Sequence, residues 1–152
     1  MTSVSIVSAA SLPHLHRAAY SLFCTHRHKP WQLKTFVKSL LMPNSVIAVV
    51  NNQLAGYVLV SEVLGELEVE DLCVLSTLRQ QGIALEMFLT IITRAENINA
   101  DYIFLEVAKS NTKARSLYER LGFDILSIRK DYYSLAGGQL DDAVLMRKDI
   151  AK

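Results

Sequence analysis

The apolar positions change period repeatedly along the chain. Val4, Ile6 and Val7 fit a short strand, after which Leu15, Ala18, Ala19 and Leu22 recur at helical spacing behind Ser11 and Pro13, residues suited to a helix start. A polar, basic stretch at 25–30 leads to Trp31, Phe36, Val37, Leu40 and Leu41, a second helical pattern that Pro43 stops. Residues 46–50 and 54–60 are β-rich runs flanking Asn51 and Asn52, which tolerate positive φ, so they predict a tight hairpin. Residues 66–74 alternate acidic and apolar before turning wholly apolar at Leu72, Cys73 and Val74. They predict a third hairpin strand, reached through Gly65 and buried on both faces at its end.

From Gly82 onward, Ala84, Met87, Phe88, Ile91, Ile92 and Ala95 hold a 3.6-residue period. A strand at 102–107 follows, and Ala114, Leu117, Tyr118 and Leu121 mark another helix, with Gly122 where a C-terminal cap needs it. Residues 125–128 and 143–146 supply two last strands around the Gly137-Gly138 loop. The order β-α-α-β-β-β-α-β-α-β-β predicts an α/β fold with a mixed, mostly antiparallel sheet flanked by helices.

Composition narrows this picture without redirecting it. With 152 residues, 51% hydrophobic and 20% charged, the chain is expected to form a single globular domain rather than a disordered or repetitive one. Sixteen basic against fifteen acidic residues leave a net charge of +1, which provides no overall field for nucleic acid or an anionic membrane. Cys24 and Cys73 lack CxxC spacing, and His14, His16, His26 and His28 crowd the N-terminal part without zinc-site spacing, so no metal is expected. These histidines read as surface or loop residues. Nowhere do 18 apolar residues stand together, and the chain is expected in the cytoplasm with reduced thiols.

The most specific chemistry lies between 72 and 133. Leu72, Cys73 and Val74 end a strand, and Arg79-Gln80-Gln81-Gly82-Ile83-Ala84 then opens a helix. Unpaired N–H groups at a helix N-terminus suit a phosphate, Gly82 lets the backbone approach closely, and Arg79 can add a charged contact or brace the loop. Alone, such a turn is an ordinary strand-to-helix connection. The arginine-x-x-glycine-x-small pattern, however, resembles the acetyl-CoA signature of the GNAT N-acetyltransferases, and SNTKARSLYERLGF at 110–123 resembles that superfamily's second conserved segment. The GNAT fold also has the predicted element order. The resemblance implies that acetyl-CoA is the cosubstrate, with Gln81, Gly82, Ile83 and Ala84 cradling its pyrophosphate. It further implies that the backbone of Leu72, Cys73 and Val74 pairs with the pantetheine arm, and that Asn111, also a plausible helix N-cap, lies near it. Two departures stand out: Ala84 where many members have glycine, and Leu85 where many have a basic residue.

Acetyl transfer to an amine needs a group to accept the ammonium proton and a donor for the departing thiolate. Glu106 interrupts an otherwise apolar strand, where a carboxylate is costly unless functional or paired. Tyr118, with a reference pKa of about 10 against about 8.5 for a thiol, can donate to the sulfur, or it can simply be a core aromatic. LEVAKSN, ARSLYERLGF and IRKDYY at 128–133, with KPWQLKTF at 29–36, resemble the bacterial ribosomal-protein-alanine N-acetyltransferases. That resemblance implies Glu106 as proton acceptor and Tyr118 as proton donor. It also implies direct attack without an acyl-enzyme, and the N-terminal alanine of ribosomal protein S18 as acceptor. Glu68 or Glu70 is a rival base, since other branches of the superfamily use a carboxylate on that strand. Trp31, Tyr132 and Tyr133 are candidate walls of the acceptor site, Trp31 equally a core residue, and Cys73 reads as an inert buried thiol. Two other functions stay open: acetylation of a small amine or a lysine side chain, and acyl-CoA binding without turnover. The oligomeric state is open as well.

Overall fold

A computed structural model describes residues 3–27 and 29–151, so His28 lies outside the described residues. The predicted fold class holds: seven strands form a mixed, mostly antiparallel sheet accompanied by four α-helices among the described residues. The chain divides into two compact units, Met1–Glu62 with Val69–Arg94, and Val63–Glu68 with Ala95–Lys152.

The first unit contains β1 (Val4–Val7), α1 (His16–His26), α2 (Leu33–Leu40), β2 (Val46–Val50), and most of β3 (Gln53–Val63), β4 (Glu66–Val74) and α3 (Ile83–Asn97). Its strands run in the order β1-β2-β3-β4, with β1 antiparallel to β2 and β2 antiparallel to β3. Asn51 and Asn52 take φ of 52° and 63°, the left-handed pair a two-residue hairpin requires. All of 54–60 in β3 is buried, so this strand is covered on both faces. The aromatic side chains of α1 and α2 supply part of that cover: Phe36 packs 4.8 Å from Phe23 and 5.4 Å from Tyr57 by ring centroids.

The start of α1 differs from expectation. Ser11 and Pro13 fall in two 3-10 turns, Ala9–Ser11 and Pro13–Leu15, and the helix begins at His16. Leu12, at φ −135° and ψ 64°, breaks the helical path, and the Ser11 hydroxyl donates back to the Ser8 carbonyl instead of capping forward. His16 is bonded as well, through Nε2 at 2.7 Å from the Ala9 carbonyl.

The second unit contains β5 (Tyr102–Ala108), α4 (Thr112–Arg120), β6 (Asp124–Ser134) and β7 (Leu140–Asp149), with β7 antiparallel to both β5 and β6 and lying between them. The strand predicted at 125–128 extends to Ser134, because β7 keeps pairing with it: Tyr133 stands opposite Asp141 and Ser134 opposite Leu140. Between Arg129 and Tyr133 the register shifts at a bulge, where Asp131 takes φ 53° and its N–H donates to Asp142 Oδ1 at 2.9 Å.

Backbone packs closely against Gly56, where an added Cβ would lie 2.6 Å from the Cys73 carbonyl oxygen and 3.3 Å from Met87 Cε. Gly56→Ala should therefore destabilise the protein by about 1–3 kcal/mol. Urea denaturation is the check, and an unchanged midpoint would show that β3 and β4 separate freely here.

Candidate active site

The strand-to-helix turn after β4 has the backbone of an anion cradle. Gln80 and Gly82 both take left-handed conformations, φ 62° and 80°, with Gln81 between them. Such alternation turns successive N–H groups toward one side. The Glu86 N–H donates to the Gly82 carbonyl at 3.0 Å, so Gly82, Ile83, Ala84 and Leu85 enter the helix ahead of its hydrogen-bond ladder. Gln81 and Gly82 are exposed, while buried Ile83 anchors the first turn. A Cβ built on Gly82 would meet nothing within 4 Å, so the space a phosphate oxygen needs is open. These residues fit a pyrophosphate. Arg79 does the bracing: its Nε donates to the Val74 carbonyl at 3.1 Å.

Within β4, Leu72 is half-buried while Cys73 and Val74 are buried. Burial, and next the neighbouring Asp71 carboxylate, push the Cys73 thiol up from its ordinary pKa. A thiol held protonated is a poor nucleophile, which agrees with an inert role.

The acid and base candidates lie in the second unit. Burial along β5 alternates, with Ile103, Leu105 and Val107 buried and Tyr102, Phe104, Glu106 and Ala108 half-buried. Glu106 therefore occupies the wetter face of its strand and is not an isolated charge in an apolar environment. Its Oε1 accepts a hydrogen bond from the Tyr133 hydroxyl at 3.0 Å, and its Oε2 faces Arg129 Nη1 at 3.7 Å. The Arg129 guanidinium also lies 5.3 Å from the centroid of Tyr132, whose ring meets Tyr133 edge-on at 5.2 Å.

Tyr118 is held by the end of α4. Gly122, at φ 94°, closes a Schellman motif in which the Phe123 N–H donates to the Tyr118 carbonyl and the Gly122 N–H to that of Glu119. The Phe123 ring lies 5.9 Å from that of Tyr118, the apolar contact that accompanies the motif, and Tyr118 is buried. At the other end of the helix, Asn111 accepts from the Ala114 N–H at 3.3 Å and is the N-cap.

Trp31, in the first unit, stands just before α2 and is half-buried. Its ring lies 5.2 Å from Phe23 and under the Arg27 guanidinium, and its carbonyl accepts from the Tyr20 hydroxyl. Beside it is a cluster that the sequence did not suggest. Asp71, nearly buried, accepts from the Tyr57 hydroxyl at 2.6 Å and lies 3.0 Å from His26 Nε2 and 3.6 Å from Arg27 Nη2. Burial and this carboxylate push the Tyr57 phenol far up, so it remains a donor. His26 is exposed, as expected of a surface residue, and is also bonded within this cluster. Glu66 and Glu68 are exposed and Glu70 is half-buried.

The chain belongs to the acetyltransferase (GNAT) family, whose model matches residues 12–123. It is accordingly an acetyl-CoA-dependent N-acetyltransferase. It is similar to the [ribosomal protein bS18]-alanine N-acetyltransferase of Escherichia coli strain K12, with 28% identity over 152 residues and 99% of each chain covered. A Haemophilus influenzae protein of the same name is 33% identical over 96 residues, 63% of this chain and 65% of that one. The crystal structure of the Escherichia coli ribosomal-protein-S18-alanine N-acetyltransferase superposes with a TM-score of 0.84 at 28% identity, covering 100% of this chain and 96% of the other.

Gly82→Val combines two effects, about 1–2 kcal/mol of left-handed strain and a side chain in the open cradle. Acetyl-CoA affinity should fall about tenfold or more, roughly the loss of one charge-assisted hydrogen bond. Calorimetric titration of acetyl-CoA checks this, and unchanged affinity would remove the turn from the binding site.

Proposed function

We propose that this protein acetylates a protein N-terminal amine, the N-terminal alanine of ribosomal protein S18, with Glu106 as proton acceptor and Tyr118 as proton donor. The observation that carries the acceptor assignment is likeness over 152 residues to the Escherichia coli bS18-alanine N-acetyltransferase. The pairing of Glu106 with Tyr133 supports the assignment of the base.

The residues that would hold acetyl-CoA are Arg79, Gln80, Gln81, Gly82, Ile83 and Ala84 at the cradle, the backbone of Leu72, Cys73 and Val74, and Asn111. Bound there, acetyl-CoA supplies an activated acyl group on a thiol that leaves. The rest of the work belongs to the chain. A protein α-amine has a pKa of about 7.7–8.0 and arrives largely as ammonium at neutral pH. Glu106 takes that proton at a carboxylate oxygen, while the Tyr133 hydroxyl on Oε1 fixes the carboxylate's orientation. Tyr118 holds a phenolic proton at Oη that a departing thiolate can receive. Tyr132, Tyr133 and Trp31 supply apolar surface for the peptide. No amino acid in this scheme becomes acylated. Such an acceptor puts the reaction in the cytoplasm, and no helix among the described residues is long and apolar enough to cross a membrane.

The direct test offers acetyl-CoA with a peptide carrying the S18 N-terminus, the same peptide with a blocked N-terminus, and a panel of small amines, read by mass spectrometry. Product at the free N-terminal amine alone is expected. Product confined to lysine side chains or small amines would overturn the acceptor assignment and leave the enzyme class intact.

Glu106→Gln should lower turnover at neutral pH by about 10²- to 10⁴-fold while acetyl-CoA affinity is retained. Full activity in that variant would shift the base to another carboxylate. Tyr118→Phe should slow single-turnover acetylation about tenfold or more, and an unchanged rate would return Tyr118 to core packing alone.

A further inference from the structure

Glu106 has two unlike partners. Oε1 is in a hydrogen bond with Tyr133 at 3.0 Å, while Oε2 faces the Arg129 guanidinium at 3.7 Å. That distance is longer than the roughly 2.7–2.9 Å of a direct charge-assisted bond, so the pair is loose. The Arg129 side chain is 58% exposed and that of Glu106 27%, so the guanidinium can leave into solvent without opening the fold. Its other contact is the face of Tyr132, half exposed, at 5.3 Å. A carboxylate oxygen beside an aromatic face is the environment an alkylammonium prefers.

We propose that Arg129 is a resident cation in the acceptor subsite. Its guanidinium occupies the place between Glu106 Oε2 and the Tyr132 ring that the acceptor's ammonium must take. The inference rests on the reading of Glu106 as the amine's proton acceptor. Each acceptor that binds exchanges one positive charge for another at Oε2, so the carboxylate is never left without a counter-charge. Arg129 swings outward as the ammonium enters, and the Tyr133 bond holds the carboxylate meanwhile. The β6 bulge favours this arrangement: it inserts extra residues between Arg129, opposite Ala143, and Tyr133, opposite Asp141, while both side chains still reach one carboxylate. Arg129 is therefore an affinity-setting residue, distinct from the proton-transferring pair.

Removing a resident competitor should tighten acceptor binding, the opposite of what loss of a substrate contact would do. In Arg129→Gln the KM for a free-N-terminus peptide is expected to fall about three- to tenfold, the combined size of an exposed ion pair and an exposed cation–π contact. The kcat should stay within about twofold, since the guanidinium has already left in the bound state. Arg129→Lys, which keeps the charge but not the planar fork, should lie closer to wild type. Calorimetric titration of the same peptide in the presence of CoA should show the same tightening without any turnover, and the N-terminally blocked peptide should bind both forms equally. A KM that rises or does not move in Arg129→Gln, or equal tightening of the blocked peptide, would overturn the proposal. Full activity of Glu106→Gln would instead sink the base assignment, and the CoA-bound titration would still decide the place of Arg129.

Discussion

The pairing of β5 with β7 fixes the place of Glu106 and of the residues around it. Seven consecutive partners, from Tyr102 opposite Asp149 to Ala108 opposite Ala143, fix which face of β5 each side chain takes. In that register Ile103, Leu105 and Val107 are buried and Glu106 stands on the wetter face. A one-residue slip would bury the carboxylate and expose the apolar side chains, so the core interactions that set the register also set the position of Glu106. The same strand carries the other partners: β7 pairs with β6 on its far edge and places Arg129 opposite Ala143 and Tyr133 opposite Asp141. Tyr118 is set independently by the Schellman closure of α4, which needs Gly122 in its left-handed conformation.

The turn after β4 works differently: what it would offer a pyrophosphate is backbone N–H groups at the start of α3, next to two left-handed residues and the buried Ile83. Arg79 contributes by holding the Val74 carbonyl, tying the strand end to the loop. Beside this, Asp71 gathers Tyr57, His26 and Arg27 around one carboxylate, and the Arg27 guanidinium stacks on Trp31, linking this polar cluster to a candidate acceptor wall.

Much of this was readable from local signals. Asn51-Asn52 between two β-rich runs and Gly122 after a helical pattern each specify a backbone conformation by chemistry alone, and both positions behave as predicted. Ser11 and Pro13 do not fix the start of α1, because they are equally good at opening a 3-10 turn, and only the conformation of Leu12 separates the two outcomes. β6 runs past its apolar residues because pairing with β7, rather than burial, extends it through later residues that are largely charged and exposed. The hydrogen bond from Tyr133 to Glu106 spans 27 positions and that from His26 to Asp71 spans 45, separations at which no periodicity within one element carries information. The residue types were visible in the sequence, but the partners required the register.

Removal of the acceptor's proton by Glu106 should be visible in the pH dependence of kcat/KM for the peptide, measured in wild type and Glu106→Gln. An α-amine loses its own proton with a pKa of about 7.7–8.0. About a tenth to a sixth of that amine is already free at pH 7, so the defect of the variant should shrink by about six- to elevenfold as pH rises from 7 to well above that value, where the acceptor supplies itself as free amine. A defect of the same size at every pH would mean that Glu106 positions or binds rather than accepts the proton.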